Sequence, residues 1–168
     1  LSTFVEEMEH INLPNSIFID NTANEEITHF YEAILNASIS ISTPNKIANS
    51  SAYDKYAALK SLSRKRGVMF QYETNVGAGL PVISTLNDLI NSGDRIIKME
   101  AVLSGSLSYI FNTFGNNGHT FSQMVEEAMA LGYTEPDPRI DLNGIDLRRK
   151  LIILAREAGV RIESDEVI

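Results

Sequence analysis

Apolar positions in the first eighty residues alternate between two spacings. Residues 2–9 read as the tail of a helix. Residues 16–20 (SIFID) are a short apolar run ending in Asp-Asn-Thr, the pattern of a strand followed by a polar loop. Apolar residues then fall at 27, 30, 31, 34 and 35, which is helical spacing and predicts a helix over 23–35. Residues 38–42 (SISIS) alternate as a strand does, and TPNK breaks them. A long helix is predicted over 49–66, and VMFQY at 68–72 is a third strand. Strands separated by helices of this length imply crossover connections and a parallel sheet. In such sheets ligands bind at the carboxyl ends of the strands. The loops there are 20–24, 43–46 and 73–79.

Further along, the pattern changes. A helix is predicted over 81–91, with Pro81 near its first turn. Residues 95–103 (RIIKMEAVL) read as a longer strand, and Ser104-Gly105-Ser106 leads into a helix, LSYIFNTF. Thr120 and Gln123 form a capping box that opens a helix with Phe121, Met124, Val125 and Ala128 on one face. A last helix is predicted up to about Ala158, with Leu147, Leu151, Leu154, Ala155 and Ala158 as its buried stripe. The fold class expected is α/β: the C-terminal half of a Rossmann-type parallel sheet over 1–82, then part of an α+β substrate-binding and dimerisation domain over 83–168. The long strand at 95–103 needs partners, which predicts a homodimer through the second part, a sheet completed by further sequence, or both.

Composition narrows the function. Charged residues are 21% and hydrophobic residues 43%, the balance of a globular chain. Net charge is −8 and the only basic run is Arg64-Lys65-Arg66, placed to end a helix, so no nucleic-acid partner is expected. No apolar run approaches the roughly 20 residues that span a membrane. There is no cysteine, hence no disulfide and no thiolate chemistry. His10, His29 and His119 lie in three unrelated contexts, which argues against a histidine metal site. The chain begins without methionine, inside a helix, and reads as an excised piece of a cytoplasmic protein.

Candidate chemistry concentrates between Gly132 and Lys150. Four carboxylates (Glu135, Asp137, Asp141, Asp146) and four cations (Arg139, Arg148, Arg149, Lys150) fall there. Pro136 and Pro138 stiffen the first half. Asp146 and Lys150 are four apart and share a helix face. Such a loop can hold a small cationic or zwitterionic substrate beside a proton donor; it also fits a solvated turn and a surface ion pair. An EF-hand loop fails in both registers, since the sixth position is Leu142 or Asp146 rather than glycine. A serine hydrolase lacks its G-x-S-x-G elbow. Gly77-Ala78-Gly79 is not a dinucleotide fingerprint, because the third glycine is missing and Leu80-Pro81 follows. The Ser-Gly-Ser turn can offer backbone N–H groups to an anion, or simply cap its helix.

Three blocks, YETNVGAGLP (72–81), LSGSLSYIFN (103–112) and GYTEPDPRIDLNGIDLRRK (132–150), together with their spacing, resemble homoserine dehydrogenase. TNVGAGLP and Asn49-Ser50-Ser51 resemble the form fused to aspartokinase. The likeness runs from about Ile17 onwards. It implies NAD(P)H-dependent reduction of aspartate 4-semialdehyde to homoserine, on the route to threonine and methionine. It also implies roles. Lys150 would be the acid/base, oriented by Asp146. Glu135 would bind the substrate amino group, with Tyr133 and Asp141 nearby. Gly105 and Ser106 would take the substrate carboxylate. Lys46 would lie between nicotinamide and substrate, and Thr22 would touch the cofactor, NADP or NAD. Glu73, with the backbone carbonyls of Val76, Ala78 and Leu80, would match a sodium or potassium site, for which oxygen ligands are suited.

Ile140 stands where the family has a second Asp, and Arg148 where it has a small residue. No G-x-G-x-x-G occurs in these 168 residues, so the stretch alone is expected not to turn over. The residue that separates NADP from NAD would lie upstream. The alternative reading is a non-catalytic dimerisation or regulatory module of a larger biosynthetic protein.

Overall fold

Three short parallel strands carry the N-terminal region. A computed structural model describes residues 1–115, 118–134 and 136–168. In order the elements are α1 (Ser2–Ile11), β1 (Ile17–Ile19), α2 (Glu25–Thr28), α3 (Tyr31–Asn36), β2 (Ser40–Ser42), α4 (Ile47–Ser50), α5 (Tyr53–Arg66), β3 (Phe70–Gln71), α6 (Val82–Asn91), α7 (Gly105–Thr113), α8 (Phe121–Ala130), α9 (Arg139–Leu142) and α10 (Ile145–Glu157). The sheet order is β1-β2-β3. Phe18 pairs with Ile41 and Ile41 with Phe70, so one apolar row crosses all three strands. That row is buried, packed with Tyr31, Ile34 and Leu35 of α3 and Leu59 of α5. The opposite face carries Ile17, Ile19 and Met69, all more than half exposed. A parallel sheet normally has helices on both faces; among the described residues only one face is covered this way.

Two of the expected helices are each divided. The helix expected over 23–35 breaks at His29 and Phe30, whose N–H groups bond to Glu26 and Ile27 carbonyls three residues back and tighten the chain. The helix expected over 49–66 breaks at Ser51 and Ala52, which are extended. Ser50 Oγ donates to Lys46 O at 2.8 Å and Ser51 Oγ to Ala48 O at 2.8 Å. Serine hydroxyls thus compete with the backbone for those carbonyls. The segment at 95–103, expected as a strand, has no paired partner: Ile97 is 98% exposed and Val102 79%. Strand structure needs a neighbouring ladder, and no described strand pairs with this segment.

The expected stripe of α10 is also displaced. The residues it buries are Ile152, Ile153, Leu154, Arg156 and Glu157, while Leu151 is 40% exposed. α10 has two apolar flanks. Ile153 and Leu154 join the core of the sheet region. The flank with Leu151, Ala155 and Ala158 lines an open groove with Ile96, Met99 and Leu103. A smaller core, Ile110, Met124 and Ala128, joins α7 to α8, and the capping box of Thr120 and Gln123 is formed.

Long-range bonds finish several helices. Glu73 follows β3 in a single 3-10 turn (Glu73–Asn75), and its two carboxylate oxygens accept from Ile83 and Ser84 N–H, each at 2.8 Å. These are donors of the first turn of α6, which has no cap of its own from Pro81. Gly77 sits just before it at φ +83°, and a Cβ there would meet Val82 Cγ2 at 2.6 Å, so only glycine fits. α5 likewise has no local cap; its Tyr53 N–H donates to Glu163 Oε1 at 2.9 Å and Oε2 at 3.2 Å.

Candidate active site

The loops that follow β2 and β3 face the start of α7 and the first turns of α10 across a cleft of about 960 Å³. Lys46, Asn75 and Ala78 line one side. Gly105, Ser106, Tyr133 and Lys150 line the other. α10 begins at a left-handed Gly144, with Asn143 Oδ1 accepting from Ile145 N at 2.9 Å. This start projects Asp146 and Lys150 from the first two turns of one helix face.

Asp146 is the meeting point of two lysines. Lys150 Nζ lies 2.8 Å from Asp146 Oδ2, and Lys46 Nζ lies 3.2 Å from Oδ1. Lys150 also donates to the Leu103 carbonyl oxygen at 2.8 Å. Partial burial opposes charge on Asp146; the hydrogen bond from Lys150 and the charges of Lys46 and Lys150 outweigh it and hold the carboxyl below its usual range. Two cations and one anion leave the cluster with a net positive charge beside the cleft. Behind Asp146 is a second recess of about 460 Å³, lined by Ala23, Leu107, Ile140, Asp141 and Arg149 among others.

The start of α7 is capped locally: Ser104 Oγ accepts from Leu107 N at 3.2 Å. Ser104 Oγ and Ser106 Oγ are 3.0 Å apart, and Ser106 Oγ donates to Asp141 Oδ1 at 2.8 Å. Ser106 is thereby fixed with its hydroxyl turned to α9. Gly105 has open space where a side chain would be. Tyr133 packs its ring 4.7 Å from that of Tyr109, whose hydroxyl donates to Glu127 at 2.7 Å.

Of the residues singled out in the sequence, the structure brings together Lys46, Asp146, Lys150, Gly105, Ser106, Asp141 and Tyr133. Ala78 joins them at the rim of the cleft. Thr22 stands apart in the exposed loop after β1, beside Ala23 of the smaller recess. Glu73, Val76 and Leu80 sit at the start of α6, outside the cleft lining. Glu135 lies outside the described residues. The sequence did not single out the buried polar groups that brace the loops. Asp20, 1% exposed, accepts from Tyr31 OH at 2.5 Å, from Asn45 Nδ2 at 3.1 Å and from Thr22 N at 2.7 Å. Burial opposes its charge, but these bonds hold its carboxyl low, and burial with Asp20 pushes the Tyr31 hydroxyl up. Asn49 Nδ2 donates to Asn75 Oδ1 at 3.0 Å, and Asn75 Nδ2 to Thr43 O at 3.2 Å. A polar residue straight after an apolar strand, as Asp20 and Thr43 are, was the available signal.

Comparison with known proteins follows the same lines. The homoserine dehydrogenase family model matches residues 81–168. A homoserine dehydrogenase of Schizosaccharomyces pombe is 48% identical over 98% of this chain and 44% of its own length. A maize protein named a chloroplastic bifunctional aspartokinase/homoserine dehydrogenase is 46% identical over 99% of this chain and 18% of its own length. A crystal structure of a Candida auris protein of unknown function superposes with a TM-score of 0.90 at 42% identity, covering 98% of this chain and 47% of that one. A hyperthermophilic archaeal homoserine dehydrogenase in complex with NADPH gives 0.78 at 30% identity, covering 98% and 52%. The chain therefore spans less than half the length of the curated relatives it matches. Among the described residues no helix is long and apolar enough to cross a membrane. With a family model that covers more than half of its residues, and with the Rossmann-type neighbours just given, this chain belongs to the homoserine dehydrogenase family.

Proposed function

We propose that the protein reduces aspartate 4-semialdehyde to homoserine with NAD(P)H, a step towards threonine and methionine, and that this chain supplies the proton-transfer side of the site. The observation that carries the reading is Asp146 held between Lys46 and Lys150 in the wall of a cleft large enough for a small amino acid. It favours an enzyme over a non-catalytic assembly module, since a structural turn has no use for two lysines on one carboxylate. The expected division near Ile83 puts Lys46 on the nucleotide side and Asp146 with Lys150 on the substrate side.

A lysine ammonium has three N–H donors. Asp146 and Leu103 O take two from Lys150, which leaves a third for an oxygen in the cleft. As the aldehyde becomes an alcohol its oxygen gains negative charge and needs a proton. Lys150 gives that proton and stabilises the developing charge, and Lys46 adds a second positive charge on the cofactor side. Asp146 fixes the direction of both. Backbone N–H groups of Gly105 and Ser106, in the first turn of α7, take the substrate carboxylate. Tyr133, Asp141 and Glu135 address its amino group.

The residues present fit a nicotinamide cofactor. The loops after β1 and β2 are braced from within by Asp20, Tyr31, Thr43 and Asn45, so Thr22 and Lys46 sit on a rigid rim. When bound, the reduced nicotinamide supplies hydride to the carbonyl carbon. A sodium or potassium ion fits the oxygen set of Glu73 with the carbonyls of Val76, Ala78 and Leu80. Glu73 is already pinned by Ile83 and Ser84 N–H, and each carboxylate oxygen keeps a further lone pair. Gly77, at φ +83°, and Ala78, at φ +51°, turn the backbone between Val76 and Leu80. A homodimer through the second region would cover the apolar groove between residues 96–103 and α10.

The test is to incubate the complete protein with aspartate semialdehyde and NADPH or NADH. Cofactor oxidation with homoserine as the product is the expected result. No homoserine with either cofactor would defeat the reading.

A further inference from the structure

α4 and α10 are tied together at both ends. At the cleft, Lys46, the residue before α4, reaches Asp146 at 3.2 Å. At the far end, Arg156 Nη1 donates to the Asn49 carbonyl oxygen at 2.8 Å. Nη2 and Nε of Arg156 donate to Ile162 O at 3.0 and 3.3 Å, and Nη2 lies 3.4 Å from Glu163. Arg156 is 4% exposed, with Tyr53 and Tyr56 rings 5.5 and 5.2 Å from its guanidinium. Burying a guanidinium is costly unless its partners are good, and an apolar side chain of the same volume would serve packing as well or better. Here the one carboxylate partner is distant and part-exposed, and the short bond goes to a backbone carbonyl.

That carbonyl belongs to an unusual place. α4 has only four residues and no side-chain N-cap, so it cannot hold its own shape. Its position is set from outside. Asn49 is fully buried, and its amide nitrogen reaches Asn75, which lines the cleft. Asn45 Oδ1 accepts from Ile47 N at 3.1 Å at the start of the turn, and at its other end, where Asn49 Oδ1 has no hydrogen-bond partner among the described residues, Arg156 grips the Asn49 backbone. Moving α4 along α10 would carry Lys46 away from Asp146.

We propose that Arg156 is a positioning residue: by holding the Asn49 carbonyl it sets α4 against α10 and so places the Lys46 ammonium on Asp146. The inference rests on the reading of Lys46, Asp146 and Lys150 as the proton-transfer cluster. It adds a residue at the opposite end of the helix, with no contact to the cleft.

The experiment uses the complete protein with Arg156→Met, which keeps the bulk, and Arg156→Lys, which keeps the charge but not the planar fork. Misplacing a reacting group by about 1 Å costs on the order of 10²-fold, so Arg156→Met should lower kcat by about 10- to 100-fold, with cofactor KM little changed. On a Lys46→Ala background the same substitution should cost less than about threefold more, because there is no longer a lysine to place. Full multiplication of the two losses would overturn the proposal. A second readout does not depend on turnover: the ¹³C titration of the Asp146 carboxyl. The charges around that group are Lys46, Lys150 and, across the recess, Asp141 and Arg149. Lys46→Ala should move the titration upward, and Arg156→Met should move it the same way. An unmoved titration in Arg156→Met would also overturn the proposal. If Arg156→Met does not fold by circular dichroism, Arg156→Lys carries the same two tests. Should Lys46→Ala and Lys150→Ala both leave kcat intact, the proposed chemistry fails, and the titration still decides whether Arg156 places Lys46.

Discussion

Two stretches of extended, apolar chain end in opposite environments. β2 and the residue before it place Ile39 and Ile41 at 0% exposure, between paired strands and under α3. Residues 95–103 are as apolar, yet Ile97 is 98% and Val102 79% exposed. The difference lies in what each stretch has beside it. β2 has β1 and β3 within a few dozen residues, and the helices between them supply the cover. Among the described residues, 95–103 face the flank of α10 across an open groove, and Leu103 alone of them packs on the main core. Apolar content thus does not bury a segment by itself; topology decides whether cover is at hand. The same contrast runs through the site. The loops after β1 and β2 are braced by buried polar bonds, whereas the opposite wall of the cleft stands on α7, α9 and α10, with a small core between α7 and α8.

The largest effect that tests this contrast is catalytic. Lys150→Ala should lower kcat by about 10²–10⁴-fold, the usual worth of a positioned acid/base, or about 3–5 kcal/mol of barrier. Lys150→Arg should restore little, since a guanidinium keeps its proton at any working pH. A kcat within about threefold of wild type, with the fold intact by circular dichroism, would leave the pair as a surface ion pair worth about 0.3–0.5 kcal/mol. Stability comes next. Ile41→Ala should cost about 2–5 kcal/mol in denaturant unfolding, the price of a cavity in a filled core.

A smaller effect carries a pH signature. Tyr31→Phe removes a donor to buried Asp20 and should cost about 1–3 kcal/mol near neutrality. The folded carboxyl of Asp20 lies below its ordinary value, so its contribution is present above about pH 4 and is lost as pH falls through the folded value. The gap between wild type and Tyr31→Phe should therefore narrow below about pH 4. A gap that stays constant from pH 7 to 3 would show that Asp20 is not the acceptor that matters. The smallest effect is expected at Ile97→Ser, within about 0.5 kcal/mol for the fold of one chain. Sedimentation of the complete protein should nonetheless show a weaker dimer in that variant. A loss of stability comparable to that of Ile41→Ala would mean that residue 97 is covered within its own chain.

Local pattern made some of this legible. The strand-helix alternation to residue 72, the capping box at Thr120 and the Asp146/Lys150 spacing are all short-range signals, and the structure has each. The three sequence blocks identified the family by likeness; the Ser-Gly-Ser turn already stood out as a possible anion cradle, whereas Lys46 gained a role only through the likeness. Other features have no local signal. Periodicity marked Leu147, Leu151, Leu154, Ala155 and Ala158 on α10 because that flank is apolar, but could not know that the sheet region takes only Leu154 of these, together with Ile153. Arg156 and Glu157 read as ordinary charged residues near a helix end. Their burial depends on Asn49, Tyr56 and Tyr72, about a hundred residues earlier; Glu157 Oε1 accepts from Tyr56 OH at 2.8 Å. The break at Ser51 was hidden in a run with good helical spacing, because a serine that bonds backwards looks like any other serine.

The remote cap on α5 has a consequence for the order in which the protein is made. Glu163 and Tyr53 are 110 positions apart, so during synthesis α5 emerges long before the carboxylate that caps its first turn. Until then Tyr53 N–H has water as its partner, and a missing cap costs about 1 kcal/mol. The same carboxylate arrives together with Arg156, in the segment that also brings Asp146 and Lys150. The nascent sheet region can collapse early, but it gains this cap only when the chain has been extended through residue 163, after both lysines and Asp146 have been made.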